Sequence, residues 1–388
     1  MDFKIYLPKY IVRKKNYIFK RYFTRQYYGK KYGKELFSAI NSFGSNKSDL
    51  IEMLSFPKIG AIEINSTCNL KCKICNTHLA NRKVKIMDLE KIEKILSTLK
   101  HYDVQGLVLH TINEPFAHPE FENILKLFKR YDIYISRLST NGLLLDKHSN
   151  AIFKYNDIIK TLRFSIDGIY EQYEKTRQGA SFQKLVDNIR SFSKENKKVG
   201  IPLRIDSVLL KDNLYQVREF LSFFSKFFLF EDIHLHHSNF LAADNSYIKN
   251  QSILYNHMKE QNPCLSLYTA VFILSNGDIS LCCRDFAAQL VIGNIFEQSI
   301  EEIWNGQRHK EIIEKFKKKS KDLSQCLNCF SADSNYEGLL IKFIYFLYFK
   351  YYKSSDKDFY DKLKGWVDLL NNNRREIQKE CIDFINKM

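Results

Sequence analysis

The sequence predicts an α/β fold built on a partial (β/α)6 barrel of the TIM type, followed by a small cysteine-rich segment, with helical extensions at both ends. From Pro57 onward, short apolar runs alternate with longer amphipathic segments, which is typical of βαβ units and a parallel sheet. Six such runs precede residue 245, too few for a closed eight-stranded barrel. We therefore expect four segments, at 1–55, 56–245, 246–335 and 336–388.

The predicted strands and helices alternate along the barrel segment. The candidate strands are Ala61–Ile64, Gly106–His110, Ile133–Leu138, Thr161–Ile166, Leu203–Leu209 and Ile233–His236. The candidate helices between them are Asp88–Leu99, Glu120–Lys129, Phe182–Ser193 and Leu214–Phe227. In parallel α/β folds, ligands gather at the carboxyl ends of the strands, so we expect the functional residues there.

Bulk composition limits the function classes. The 388 residues are 45% hydrophobic and include nine cysteines, with no secretory signal and no apolar run long enough to span a bilayer. Such cysteine usage indicates a reducing compartment, the cytoplasm, and metal ligation rather than disulfides. The net charge of +16 indicates either an anionic partner or simply a lysine-rich composition. Because no nucleic-acid-binding motif is present, nucleic acid is not expected as a partner.

The two ends differ from the barrel segment. Residues 1–55 are basic and aromatic without strand alternation, which favours a helical extension. Residues 338–353 are apolar and aromatic, then basic, and are too short to cross a bilayer. This tail is expected either to pack on the barrel or to lie peripherally at the inner face of the membrane.

Three cysteines follow the first predicted strand with the spacing C-x3-C-x2-C, at Cys68, Cys72 and Cys75. Three thiolates on a short loop can hold three corners of a four-iron cluster and leave the fourth iron free to bind a small molecule. The same thiols are also compatible with a zinc site completed by His78, or with buried structural cysteines.

Polar residues mark the carboxyl ends of the next three predicted strands. Glu114 lies in His110-Thr-Ile-Asn-Glu-Pro115, where a carboxylate suits an ammonium group. Asn141 lies in Thr-Asn-Gly, which is also a common turn. Ser165 and Asp167 end the fourth strand, and Arg177 follows; they either bind a ligand or form an ordinary helix cap.

Charged residues also alternate along the last two predicted strands. Arg204 and Asp206 share one face of the fifth strand, and His234 and His236 share one face of the sixth. A charged pair that points into a barrel is unfavourable unless it is paired or functional. The histidines are expected either to be satisfied rim residues or to transfer protons.

A second cysteine set begins beyond the barrel. Asn276-Gly277 between two alternating apolar runs predicts a hairpin that brings Cys264 and Cys282 to one end. Cys326 and Cys329 form a further C-x2-C pair. A four-cysteine zinc ribbon has similar loops, so either zinc or an iron–sulfur cluster fits this set.

These motifs together resemble the radical S-adenosylmethionine (SAM) enzymes that carry a SPASM/Twitch extension. The resemblance covers the first cysteine run, the Asn-Glu-Pro motif, Ser165-Ile-Asp-Gly168, and the stretch from Asn276 to Cys329. It implies that Cys68, Cys72 and Cys75 hold a SAM-cleaving [4Fe-4S] cluster. It further implies that Cys264, Cys282, Cys326 and Cys329 hold one auxiliary [4Fe-4S] cluster. Glu114, Asn141, Ser165, Asp167 and Arg177 are then expected to bind SAM or substrate.

The resemblance implies abstraction of a substrate hydrogen atom but leaves the outcome open. A fully ligated auxiliary cluster favours oxidation. In relatives a carboxylate after the cysteine that corresponds to Cys282 accepts the substrate proton, and Asp285 is the carboxylate nearest to that position here. Cys283, a spare thiol, would instead donate a hydrogen atom in an epimerase. The substrate is expected to be a peptide, a sugar or another small molecule, and the reductant a flavodoxin or ferredoxin. The rival class is a zinc-stabilised binding protein.

Overall fold

The computed structural model describes residues 56–77, 82–83, 85–238, 245–255, 258–260, 264–327, 329–332, 334–351 and 355–372. The predicted helical extension at 1–55 lies outside the described residues, as do His78 and Cys381. In the part of the chain that is described, no helix is both long and apolar enough to cross a membrane.

A nine-stranded sheet organises the fold. Its strands in chain order are β1 (Lys58–Ile62), β2 (Gly106–Val108), β3 (Tyr134–Thr140), β4 (Leu162–Ser165), β5 (Leu203–Leu209), β6 (Ile233–His237), β7 (Ala270–Ile273), β8 (Asp278–Ser280) and β9 (Val291–Asn294). Their spatial order is β9-β8-β7-β1-β2-β3-β4-β5-β6. The strands β1 to β6 pair in parallel, as the sequence predicts for a partial (β/α)6 barrel.

Helices cover the outer face of the parallel strands. They are α1 (Leu89–His101), α2 (Phe121–Arg130), α3 (Leu145–Lys154), α4 (Tyr170–Thr176), α5 (Phe182–Val199) and α6 (Val217–Phe224). Alternate strand residues such as Leu162 and Phe164 are fully buried against them. The intervening residues therefore face the inside of the barrel, because side chains alternate across a strand.

Local sequence explains where these helices begin and end. Asp88 accepts a hydrogen bond from the backbone N–H of Lys91 and starts α1. Ser181 caps α5 in the same way, and Gly200 ends it in the left-handed conformation, with φ of 82°. The predicted helix Leu214–Phe227 is shorter in the structure, because a turn at Tyr215–Gln216 separates α6 from the preceding short helix Lys211–Leu214.

The second cysteine-rich segment continues the barrel sheet. β7 pairs in parallel with β1, and β8 and β9 add antiparallel strands beyond it. The predicted hairpin is confirmed, with Gly277 at φ of 89° in its turn. The segment also contains α7 (Ser246–Gln251), α8 (Leu265–Thr269), α9 (Ile300–Asn305) and α10 (Gln307–Lys317). Two further strands, Met258–Glu260 and Phe330–Ala332, pair with each other.

The tail forms two helices, α11 (Ser334–Lys350) and α12 (Asp356–Asn372), which contact each other. α11 packs against β6, and its Tyr345 hydroxyl donates a hydrogen bond to the carbonyl of Ile233 at 2.8 Å. Phe230 stacks on Tyr348, and Leu347 is buried. These contacts agree with the expectation that the tail packs back onto the barrel.

Candidate active site

The first cysteine loop leaves β1 at the carboxyl edge of the parallel strands. Lys71 and Cys72 pair with Arg177 and Gln178 in a short antiparallel ladder, which fixes the middle of the loop. The backbone N–H of Cys75 bonds to the carbonyl of Cys72, and the Thr77 hydroxyl lies 3.0 Å from Cys75 Sγ. Cys72 and Cys75 are therefore held on one structured turn, and Cys68 precedes it.

Glu114 lies at the end of β2, fully enclosed beside this loop. Its carboxylate accepts hydrogen bonds from the Thr140 hydroxyl at 2.8 Å, the Asn141 backbone N–H at 2.7 Å and the Phe116 backbone N–H at 3.2 Å. Burial raises the pKa of Glu114 to about 7, against these hydrogen bonds and the charge of Arg177. A cationic ammonium group would favour the ionised form and would be stabilised by it.

Asn141, from the end of β3, reaches the first cysteine of the loop. Its amide nitrogen donates to the Asn69 side chain at 2.8 Å and lies 4.0 Å from Cys68 Sγ. Burial, together with the nearby Glu114, Cys72 and Cys75, raises the pKa of the Cys68 thiol to about 12. In the absence of a cation the thiol therefore stays protonated, and metal binding would release that proton.

An asparagine pair explains why Asn113 stands in the motif before Glu114. The Asn113 side chain donates to Asn65 at 2.8 Å and accepts from the backbone N–H of Thr111. Asn65 in turn donates to the Thr67 hydroxyl and to the carbonyl of Glu114. This network ties the cysteine loop to the end of β2. Its residues were missed in the sequence because their partners are far apart along the chain.

A buried ion pair helps to connect the carboxyl edge of the parallel strands to the second cysteine-rich segment. Glu63 has a completely buried side chain and pairs with Arg82 at 2.9 Å. It also accepts hydrogen bonds from the Thr111 hydroxyl and from the backbone N–H of Ser275, in the turn after β7. The apolar pattern around β1 did not predict that Glu63 is buried, because a buried glutamate is recognised only from partners that are distant in the sequence.

Asp167 and Arg177 form a second buried ion pair, 2.6 Å apart. Asp167 accepts from the backbone N–H of Val208, and the Arg177 guanidinium lies 3.9 Å from Cys72 Sγ. Both predicted residues therefore lie at the site, with contacts to a cysteine and to β5. Ser165 occupies the inner face of β4, opposite Asp206.

The second cysteine set lies at the opposite, amino edge of the sheet. Cys264 precedes β7, which runs parallel to β1, and Cys282 follows the antiparallel β8. Burial, together with the nearby Cys264 and Cys329, raises the pKa of the Cys326 thiol to about 12. The four predicted thiols are therefore brought together, although they span 66 positions of the chain.

The two remaining predicted residues differ in their surroundings. Asp285 is buried and accepts hydrogen bonds from Ser280, Gln289 and Leu290 within its own loop. Cys283 is exposed. A hydrogen bond with Cys282, and then the charges of Arg284 and Arg137, lower the pKa of the Cys283 thiol. Arg137 is the central residue of β3, so Cys283 lies close to that strand.

The donor sets fit iron–sulfur clusters. Each consists of thiols, three in the first set and four in the second, and thiolates are the usual ligands of [4Fe-4S] clusters.

Comparison with known families agrees with this geometry. Residues 62–223 match the radical SAM superfamily, and residues 264–330 match the SPASM iron–sulfur cluster-binding domain. The first match contains Cys68, Cys72 and Cys75, and the second contains the four cysteines of the amino edge.

Curated relatives match a smaller part of the chain. A probable GTP 3′,8-cyclase of Methanococcus maripaludis strain C5 is 24% identical over 168 residues, and that of strain S2 is 23% identical over the same length. Each alignment covers 42% of this chain and 54% of the relative. The chain therefore spans about half the length of these relatives.

Solved structures share the fold. SuiB of Streptococcus suis bound to the precursor peptide SuiA has a TM-score of 0.54 at 18% identity, covering 73% of this chain and 70% of that one. Native anSMEcpe with bound AdoMet has a TM-score of 0.51 at 16% identity, covering 65% of this chain and 81% of that one. With both domains matched in order, the chain carries a radical SAM domain followed by a SPASM domain, so its cofactors are SAM and iron–sulfur clusters.

Proposed function

We propose that this enzyme cleaves SAM reductively and removes a hydrogen atom from an unactivated C–H bond of a peptide, sugar or small molecule. The observation that carries the proposal is the three-thiol loop beside the buried Glu114 carboxylate, at the carboxyl edge of the barrel. When bound there, a reduced [4Fe-4S] cluster with SAM supplies a 5′-deoxyadenosyl radical that abstracts this hydrogen.

The chain's own residues divide the work of binding. Cys68, Cys72 and Cys75 would ligate three irons and leave the fourth to the SAM amino and carboxylate groups. Glu114 would accept a hydrogen bond from the SAM amino group. The backbone N–H of Asn141 donates a hydrogen bond to the Glu114 carboxylate and fixes its orientation. Arg177 lies against Cys72 and would stabilise negative charge on that thiolate.

The amino-edge cysteines favour an oxidative outcome. Cys264, Cys282, Cys326 and Cys329 would fill all four positions of an auxiliary [4Fe-4S] cluster, leaving none for substrate. Such a group is suited to accept the electron that remains on the substrate after hydrogen abstraction. Asp285 is the nearest predicted proton acceptor, although its hydrogen bonds in the structure are to its own loop.

The test begins with anaerobic reconstitution and a count of iron, sulfide and zinc per chain. About eight irons are expected, with 5′-deoxyadenosine formed from SAM and dithionite. Cys381→Ser is a control, because that thiol belongs to neither predicted set. About four irons would remove the auxiliary cluster from the proposal. Zinc without iron, and no deoxyadenosine, would refute it in favour of a zinc-stabilised binding protein.

Epimerisation is a second candidate function, supported by the exposure of Cys283 beside Arg137. In that reaction the Cys283 thiol would return a hydrogen atom to the substrate carbon. In deuterated buffer, Cys283→Ala should then form deoxyadenosine without placing deuterium in the product. Undiminished deuterium incorporation in the variant would exclude the thiol donor.

Two partners complete the proposal. The reductant is proposed to be a flavodoxin or ferredoxin, since the cluster must be supplied with single electrons. Peripheral membrane contact through residues 338–353 remains a prediction, supported by the half-exposed Phe349 at the end of α11. The burial of Leu340, Ile344 and Leu347 against the protein leaves little of this helix for lipid.

A further inference from the structure

The inner face of the barrel carries charged and imidazole side chains midway between the two cysteine sets. We name as the lumen cluster the inward residues of three adjacent strands, which are Arg163, Arg204, Asp206, His234 and His236. Their outward neighbours, such as Phe164, Ile205 and Leu235, are buried beneath the helices. The cluster therefore belongs to the barrel interior, on a wall that runs between the SAM site and the amino edge.

The strand register places two guanidinium groups side by side. Arg163 on β4 is the direct partner of Arg204 on β5, and Asp206 is the partner of His234 on β6. Adjacent strands are about 4.8 Å apart, and like charges directly opposite each other are destabilising. A pair of arginines in this position is tolerated when negative charge lies between or in front of them.

Each of these arginines has one neighbouring carboxylate, but these carboxylates leave some guanidinium hydrogen-bond donors unused. Arg163 Nη1 pairs with Asp206 at 3.0 Å, while Arg163 Nε is buried without a hydrogen-bond partner among the described residues. Arg204 Nε lies 3.4 Å from Asp232, too poorly aligned for a hydrogen bond. Each guanidinium offers five donors, so several remain for a ligand.

Burial sets the protonation state of two histidines on this wall. It lowers the pKa of His234 to about 4, against the opposing charge of Asp206, and that of His110 to about 3, where the charges of Arg137 and Arg163 add to the shift. Both rings are therefore neutral near pH 7. His110 Nδ1 is also buried without a hydrogen-bond partner in the described structure.

A metal ion is the competing occupant, because Asp206, His234 and His236 place their ligand atoms within 4.8 Å of one another. Two histidines and a carboxylate are a common set for divalent metals. However, the Arg163 guanidinium already lies 3.0 Å from the Asp206 carboxylate, and Arg204 is the neighbour of Arg163. A divalent cation would therefore have to separate the Asp206 carboxylate from Arg163, whereas an anion can use the donors that both guanidinium groups leave unused.

We propose that the lumen cluster binds an oxyanion of the substrate, a phosphate or carboxylate group, through Arg163 and Arg204. This inference deepens the proposed function and rests on it for the identity of the ligand as substrate. Guanidinium groups bind both oxyanions in bidentate geometry. Each arginine is the second residue of its strand, so an anion bound there would direct the rest of the substrate along the barrel toward the carboxyl edge, where Cys68, Cys72 and Cys75 lie.

The test is calorimetric titration of the reconstituted protein, under anaerobic conditions, with inorganic pyrophosphate and separately with tricarballylate. Arg163→Gln and Arg204→Gln should each weaken binding of the preferred anion by about tenfold or more, the equivalent of one lost charge-assisted contact. Tighter pyrophosphate binding would indicate a phosphorylated substrate, and tighter tricarballylate binding a carboxylate. Arg190→Gln, on the exposed face of α5, is the matched control and should bind like the parent protein.

Arg163→Lys is a second variant in case Arg163→Gln misfolds, because it keeps the charge and loses the bidentate geometry. Its anion affinity should lie between those of the parent protein and Arg163→Gln. Equal anion affinity in all arginine variants with unchanged iron content would overturn the inference. Cobalt binding that His234→Ala abolishes, with no anion binding, would overturn it in favour of a metal site. Deoxyadenosine formation by the parent protein tests the proposed function separately, because it needs no occupied lumen cluster.

Discussion

The two edges of the sheet carry the two cysteine sets, and they are held in different ways. At the carboxyl edge, Glu63, Asn65 and Glu114 connect the cysteine loop to three other strand ends. At the amino edge, Asp285 organises its own turn, and Cys326 and Cys329 arrive from later in the chain. The proposed SAM site is thus preorganised by tertiary contacts, whereas the second set is assembled from separate loops whose cysteines a shared metal group would join.

The largest expected effect is a difference in deoxyadenosine formation between cysteine variants at the two edges. Cys72→Ser should abolish deoxyadenosine formation, since Cys72 is a proposed ligand of the SAM-cleaving cluster. Cys326→Ser should lower iron content and stop product formation, while deoxyadenosine remains detectable. Both are measured by chromatography and iron assay on reconstituted protein. Loss of deoxyadenosine in both variants to the same extent would mean that the edges are not independent.

Stability at the carboxyl edge should depend strongly on Glu63. Glu63→Ala leaves the Arg82 guanidinium, which is 14% exposed, without its buried partner. We expect a loss of about 3–5 kcal/mol in the free energy of unfolding, measured by urea denaturation. Glu171→Ala removes an exposed partner of Lys175 and should change stability by less than about 0.5 kcal/mol. Similar losses in the two variants would contradict the role of the buried pair.

The pH dependence of stability should report Glu114. Its pKa is raised to about 7 from an ordinary 4.5, so between these values the folded state holds a proton that the unfolded chain has lost. Its contribution therefore falls as pH rises through this interval, by about 3 kcal/mol in all. Glu114→Gln cannot ionise and should lack this decline when SAM-free protein is unfolded in urea at about pH 5 and about pH 8. Equal declines in the parent protein and in Glu114→Gln would show that Glu114 is not the group responsible for the pH dependence.

The smallest expected effect concerns the reduction potential. Arg177 lies 3.9 Å from Cys72 Sγ, and its charge stabilises the more negative, reduced cluster. Because Asp167 offsets part of that charge, Arg177→Gln should lower the potential of the SAM-cleaving cluster by only tens of millivolts. Redox titration followed by electron paramagnetic resonance measures this, with Arg190→Gln as control. An unchanged or raised potential would show that the guanidinium does not act on the cluster.

The sequence predicts local features better than distant ones. The six barrel strands and the Asn276-Gly277 hairpin follow from periodicity and turn chemistry, and the structure confirms them. The pairing of β1 with β7 could not be predicted, because nothing in either apolar run specifies a partner some 200 residues away. The partners of Glu63 and Asn113 were missed for the same reason. The roles assigned to the predicted site residues stay predictions.

The pairing of β1 between β2 and β7 has a consequence for biosynthesis. One edge of β1 meets β2 soon after it leaves the ribosome, but its other edge stays open until Ala270–Ile273 has been made. Long-range pairing of this kind slows folding and leaves an exposed strand edge that other chains can join. The nascent barrel therefore carries an aggregation-prone border through most of its synthesis, and chaperone dependence should end when the SPASM hairpin emerges.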